Sequence, residues 1–329
     1  MKKALAIILI VLLSAAGLMA QGSNESASGL DKVNVAYMAN YASLWSVVGA
    51  MNSGAFAEEG IEVQLVEFAD GPTIIAAMES GSIDIGYIGH GAHKLCVNGQ
   101  ADIFCFSHVG NGDAVIGLRS HGVTEDPASL KGKKVGYASG TSSETILRWT
   151  LEEAGLTFDD IVAYEMDASA ITSAMTSGAL DACASWSPST FTIMDNLGDD
   201  AFVISDNVTF SDRSASVASW IVMPEFAEEN HDLLVRFTKA LYKGMDYRAE
   251  HEDEVIGWVA EILGVDYDTV YAQRGDAEWL TSAELIEEVK DGTIEKLYEV
   301  QKQSFGSEVD QATPVSDYVL FDVMLEAAE

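Results

Sequence analysis

The sequence predicts an α/β protein of two lobes. Three observations point there: a phrase used twice, a steady alternation of short apolar runs with amphipathic stretches, and a helical final third. The phrase is I-x-x-A-M-x-S-G-x-[I/L]-D, running from Ile74 to Asp84 and again from Ile171 to Asp181, 97 residues on. Each copy reads as an amphipathic helix stopped by a glycine, Gly81 or Gly178, and followed by a β-run, Ile83 to Tyr87 or Leu180 to Ala184. That period is far longer than a solenoid unit, so two similar α/β lobes fit better than a repeat array.

The elements follow in order. Strands are expected at Val33 to Met38, Glu62 to Phe68 and Ile83 to Gly89, separated by helices from Ser43 to Glu59 and up to Ser80; this is the βαβ rhythm of a parallel sheet. A helix from Gly91 to Val97, a strand from Asp102 to Val109 and an apolar run from Ala114 to Ser120 close the first block. The Asp126-Pro127 turn precedes a second alternation, with strands near Val135 to Ser139, Ile161 to Met166, Ala182 to Ser187 and Ala201 to Ser205. Ser216 to Met223 reads as one more strand, after which the pattern is helical almost to Glu329. Two strands, near Val115 to Arg119 and Ala218 to Val222, are expected to cross between lobes as a hinge. The expected parts are residues 32–117 for the start of lobe 1, 118–217 for lobe 2, and 218–329 for the return strand and the helices that pack back on lobe 1.

Lys2-Lys3, the apolar run Ala4 to Leu13 and the small residues up to Ala20 have the layout of a secretory signal peptide, residues 1–20. Residues 21–31, small and polar, read as a flexible tether. The expected product is therefore exported, to the periplasm or the outer face of the cytoplasmic membrane. The formal charge of −34 becomes −36 once Lys2 and Lys3 leave. Such a balance argues against a nucleic-acid surface, which needs clustered Lys and Arg, and against an anionic membrane surface. Cys96, Cys105 and Cys183 lack metal-ligand spacing and read as buried thiols, with a Cys96–Cys105 bridge as the alternative.

In open α/β sheets ligands lie beyond the carboxyl ends of the strands, where helix N-termini aim N–H groups at the crevice. The loops at those ends supply the candidate ligand-binding residues: Asn40, Tyr41, Asp70, Gly71, Thr73, His90, Gly91, Gly140, Thr141, Ser142, Ser143 and Trp186, with Trp220 from the return strand. Ser142-Ser143-Glu144 carries most weight, because small residues admit an anion to backbone N–H groups and hydroxyls; helix capping by Thr141 or Ser142 is its structural alternative. Charge-assisted hydrogen bonds contribute roughly 1.5–3 kcal/mol each, while surface carboxylates are screened beyond about 8 Å, so an acidic chain can still hold an anion. His90 sits between two glycines in a cleft loop. His93 follows, but no third ligand completes a metal set, so no metal and no cofactor are expected. No G-x-S-x-G elbow, P-loop or Cys/His set appears, and the chain is not expected to be an enzyme.

Several marks in order complete the picture: Phe56 to Val63 (FAEEGIEV), Gly81 to Gly89 (GSIDIGYIG), Leu130 to Val135 (LKGKKV), Gly178 to Ala182 (GALDA), Trp186-Ser187-Pro188 and Trp220-Ile221-Val222. With Trp279-Leu280-Thr281 and Ser316 to Val319 they make the chain, from about Lys32 to Ala327, resemble the solute-binding proteins of ABC importers for sulfonates and taurine, a family that includes thiamine-pyrimidine binders. The resemblance implies a type II periplasmic-binding "flytrap" with two parallel-rich sheets and a monomeric state. It also implies a small sulfonate-type anion held between the lobes, and transmembrane permease subunits as partners. A thiamine-pyrimidine or choline-like ligand, a sensor role, or a pyrimidine-synthase-like enzyme are the alternatives. The taurine-type branch places an Asp two residues before the return-strand Trp, where this chain has Ala218; unless Asp70 or Asp113 substitutes from another loop, a sulfonate without an amine is favoured over taurine.

Overall fold

The computed structural model describes residues 29–213 and 215–329. The expected signal peptide and most of the tether lie outside the described residues. Eleven strands are present among them: β1 (Asp31–Met38), β2 (Ile61–Phe68), β3 (Ile85–Ile88), β4 (Asp102–Gly110), β5 (Ala114–Leu118), β6 (Lys134–Tyr137), β7 (Val162–Glu165), β8 (Ala182–Ser185), β9 (Ala201–Asp206), β10 (Val217–Val222) and β11 (Ala277–Glu278). The helices between them are α1 (Tyr41–Ser53), α2 (Ala55–Glu58), α3 (Gly71–Glu79), α4 (His93–Val97), α5 (Ser142–Glu153), α6 (Ala168–Thr176) and α7 (Ser189–Leu197). They continue with α8 (Pro224–Glu229), α9 (His231–Glu250), α10 (Glu252–Leu263), α11 (Tyr267–Tyr271), α12 (Ser282–Lys290), α13 (Thr293–Ser304) and α14 (Phe321–Glu326).

The strands form two sheets, ordered β11-β4-β10-β3-β1-β2 and β7-β6-β8-β5-β9. In the first, β2, β1 and β3 are parallel and β10 is antiparallel to β3. In the second, β7, β6 and β8 are parallel and β5 is antiparallel to β8. The doubled phrase sits at matching places in these two halves. Asp70 and Asp167 cap α3 and α6 by accepting from Thr73 N and Ala170 N. Gly81 and Gly178 then turn the chain at φ of 75° and 71°, where an L side chain is strained. Asp84 and Asp181 finally accept the Asn34 and Lys134 amides, each at 2.8 Å, and so fasten β1 and β6.

Two expectations need correction. The single helix from Ser43 to Glu59 is two, because Gly54 takes φ 86° and closes α1 with a left-handed cap. The crossing strands are not shared between sheets. β5 pairs wholly within the second sheet, against β8 and β9, and β10 wholly within the first. The chain instead crosses at Asn111–Asp113 and at Asn207–Ser216, so the expected boundary after residue 117 falls inside β5. A five-residue apolar run cannot say which of two sheets will bury it.

The C-terminal helices share one apolar core with the first sheet: Leu234, Phe237, Leu241, Val259, Leu285 and Tyr298 are fully buried in the same cluster as Val35, Trp45, Ile85 and Trp220. Helices α1 and α9 meet at Gly49 and Gly244, so closely that a Cβ on Gly244 would lie 2.1 Å from the Ser46 carbonyl oxygen. The three cysteines are buried free thiols, and no Cys96–Cys105 bridge forms. No described helix is long and apolar enough to cross a membrane.

Candidate functional site

The carboxyl ends of the parallel strands of both sheets open onto one cavity of about 680 Å³, counting the part open to solvent. The first sheet and its C-terminal helices present Tyr87, His90, His108, Gln273 and Asp276. The second sheet presents Thr141, Ser142, Trp186 and Ser187, and the two crossings add Asp113 and Ser216. The rims touch. A Cβ on Gly91 would lie 2.1 Å from the Thr141 carbonyl carbon, and one on Gly140 would lie 3.1 Å from Pro72 Cγ.

Asp113 is the centre of the polar arrangement. It is 7% exposed. Its Oδ1 accepts from Ser142 Oγ at 2.5 Å, and its Oδ2 accepts from Asn207 Nδ2 at 3.0 Å and from Ser216 Oγ at 3.4 Å. Its own amide donates to Asn207 Oδ1 at 2.7 Å. One side chain in the first crossing thus binds both ends of the second crossing and the start of α5. Burial raises its carboxyl above the usual carboxylate range, against the pull of those three donors. Asp276, half-buried, is pushed up to about 6 by burial, with the Ser187 hydroxyl pulling it down and the charge of Asp113 pushing it up. It reaches the cavity because its backbone oxygen accepts from Asn111 N at 2.5 Å, while its neighbour Ala277 pairs with Gly110 in β4.

The aromatic wall is layered. Tyr87 stacks on His108 with ring centres 6.0 Å apart, and the Tyr87 hydroxyl stands 3.4 Å from His108 Nε2. Burial takes His108 down to about 3 and His90 to about 4, so both imidazoles are neutral near pH 7. The Tyr87 hydroxyl is held well above its usual range by burial and by the charge of Asp113.

Of the thirteen residues picked from the sequence, Asn40, Gly71, His90, Gly91, Thr141, Ser142 and Trp186 line the cavity and six do not. Asp70 and Thr73 spend their groups on each other at the exposed start of α3. Ser143 is fully buried and donates to the Ala138 carbonyl. Gly140 gives its amide to Glu144 Oε2 and abuts Pro72. Tyr41 is in the core, its amide on Gln273 Oε1 at 2.9 Å, so it holds a lining residue rather than lining the cavity itself. Trp220 is fully buried one layer behind Tyr87, with ring centres 5.6 Å apart. Of the two carboxylates offered in place of Ala218, Asp113 reaches the cavity and Asp70 does not; Ala218 itself lines it. His108 and Asp276 had no sequence signal, since the first looks like any strand residue and the second comes from a segment more than 150 residues downstream.

Two α/β sheets that share a cleft at their strand ends, with side chains from both lining it, define a two-lobed protein of the periplasmic-binding-protein fold. The NMT1/THI5-like family matches residues 44–255, and the chain belongs to it. The "putative binding protein" of Brucella abortus strain 2308 is 30% identical over 262 residues, 80% of this chain and 81% of that one. A "putative aliphatic sulfonates-binding protein" of Bacillus subtilis strain 168 is 26% identical over 281 residues, 82% of this chain and 81% of that one. Among solved structures, the alkanesulfonate-binding protein SsuA of Xanthomonas axonopodis pv. citri, bound to MOPS, superposes with a TM-score of 0.69 over 88% of this chain and 98% of that one at 18% identity, a likeness of fold.

Proposed function

We propose that this chain is the extracytoplasmic solute-binding component of an ABC importer, and that its ligand presents a cationic or N–H-rich nitrogen to Asp113 and Asp276. The binding role rests on the family and the fold. The ligand class rests on one observation: the hydroxyl at the start of α5, where an anion was expected, is already given to Asp113. The protein fills that position with its own carboxylate. Among the described residues that line the cavity, two are aspartates and none is lysine or arginine. A sulfonate would meet negative charge there without a compensating cation, whereas an amine would turn one buried and one half-buried carboxylate into partners. Tyr87, His108 and Trp186 offer flat faces for an aminopyrimidine ring or a quaternary ammonium group.

This favours the amine-bearing alternatives, including taurine, over a sulfonate without an amine. A thermal-shift panel of taurine, isethionate, ethanesulfonate, choline and a hydroxymethyl-aminopyrimidine tests it. A ligand at 100 times its Kd stabilises by about 2.7 kcal/mol, enough to raise Tm visibly. The expected result is a rise with at least one nitrogen-bearing compound and none with isethionate or ethanesulfonate; a rise confined to those two would return the site to anions.

A further inference from the structure

The two carboxylates of the cavity raise a question of charge that the ligand alone does not answer. Asp113 comes from the first crossing and Asp276 from the segment after α11, and both face the same space across Gly112, whose Cβ would lie 3.5 Å from Asp276 Cγ. Nothing cationic among the described residues stands against them. Tyr87 on β3 and His108 on β4 face them from the first sheet, and His90 from the loop after β3. The α5 side contributes the Ser142 hydroxyl, and the second crossing contributes Asn207 and Ser216. The nearby cations are engaged elsewhere: Arg148 and Lys94 with Glu308, Arg248 with Glu252, and Arg274 over the ring of Tyr271. An ionised pair facing one cavity, with Asp113 buried and Asp276 half-buried and without a counter-charge, is costly.

We propose that Asp113 and Asp276 share one proton while the cleft is empty and give it up to the medium when a cationic nitrogen enters, so that capture is coupled to proton release. The inference rests on the amine reading of the ligand. The exchange balances in charge: a protonated pair plus R–NH3⁺ becomes a fully ionised pair holding R–NH3⁺, with one H⁺ passed to buffer. Binding therefore weakens as the medium acidifies. The upward shift of both carboxyls, from burial first, agrees with this direction. His90 and His108, already neutral at working pH, neither supply the missing charge nor release the proton.

Two measurements test the coupling, the first without any ligand. A carboxyl raised in the folded state stabilises fully below its unfolded value near 3.9, and that contribution is lost as pH climbs through the folded value near 6. Asp276→Asn, which cannot ionise, escapes that loss. The difference in Tm between Asp276→Asn and wild type should be small at pH 4.0 and reach about 3 °C or more in favour of the variant at pH 7.5. The histidine contributions are common to both proteins and cancel. A difference that does not change with pH overturns the inference, whatever the ligand. Second, calorimetry with taurine and with choline at pH 6.0, in buffers of different ionisation enthalpy, counts protons. Release of between half and one proton per bound cation is expected; binding with no proton release overturns the coupling and leaves the amine reading intact. Binding confined to isethionate and ethanesulfonate in the thermal-shift panel overturns the amine reading itself.

Discussion

The two sheets are built on one plan and differ where they meet the cleft. The parallel triplet β2-β1-β3 corresponds to β7-β6-β8, and in each sheet a fourth, antiparallel strand arrives from the other side: β10 in the first, β5 in the second. The shared residues are structural, namely a capping Asp, a left-handed Gly and an Asp that accepts the amide of a neighbouring strand. The plan stops at the strand ends. After β3 the chain reads Gly89-His90-Gly91, and 97 residues later, after β8, it reads Trp186-Ser187-Pro188. One wall of the cleft becomes aromatic and imidazole, the other hydroxyl and indole, and both carboxylates come from segments outside the repeat. Repetition kept what holds a lobe together, and divergence at the loops made a site that neither lobe contains alone.

The largest effect expected from breaking this arrangement is at Gly91. A valine there collides with the Thr141 backbone across the cleft, so binding of any ligand should fall at least about 100-fold with the far-UV spectrum unchanged. Unchanged affinity would mean that the rims do not meet when the ligand is held. A middle-sized effect tests the shared plan. Asp84→Ala and Asp181→Ala each strip a strand amide of its acceptor and should cost a similar ~1–3 kcal/mol in denaturant unfolding. Asp181 adds a pH signature. Burial raises its carboxyl, but the Lys134 amide and His121 outweigh that and hold it below the ordinary value. Its contribution is therefore present above the unfolded value near 3.9 and disappears as pH falls through the lower folded value, so the gap between Asp181→Ala and wild type should close in acid. The smallest effect is at the outer contact between the lobes, where Arg148 and Lys94 grip Glu308 at 2.6 Å and 2.8 Å. Partly exposed pairs contribute little, so Arg148→Ala should change affinity by ~0.2–1 kcal/mol, and by less in molar salt. A larger, salt-independent loss would make that contact part of the binding site proper.

Much of the fold was legible in the sequence, because period and punctuation are local. The β-runs of both parallel triplets, the glycine stops and the helical last third follow from patterns a few residues wide. The sheet membership of β5 was not legible, since its pairing partners β8 and β9 lie about 70 to 90 residues away. For the site, the loops at strand ends were legible and the division of labour inside them was not. Ser142 lines the cavity as expected, yet its hydroxyl answers to Asp113, and Tyr41 and Trp220 turn inward because the C-terminal helices cover them. A hydrogen bond between residues 29 apart leaves no periodic trace.

The central claim is that the cavity is built around its own two carboxylates, and a matched pair of ligands tests it most directly. Taurine and isethionate differ only in carrying an ammonium or a hydroxyl group, as choline and 3,3-dimethylbutanol differ only in carrying a quaternary nitrogen or a carbon. Titration calorimetry of both pairs against wild type and Asp276→Asn at pH 7.5 should show the nitrogen-bearing member of whichever pair binds ahead by about tenfold or more, the difference expected of one charge-assisted contact. That margin should shrink in Asp276→Asn. Equal affinity within the pairs, or isethionate binding tighter than taurine, would contradict the account and give the cleft back to anions.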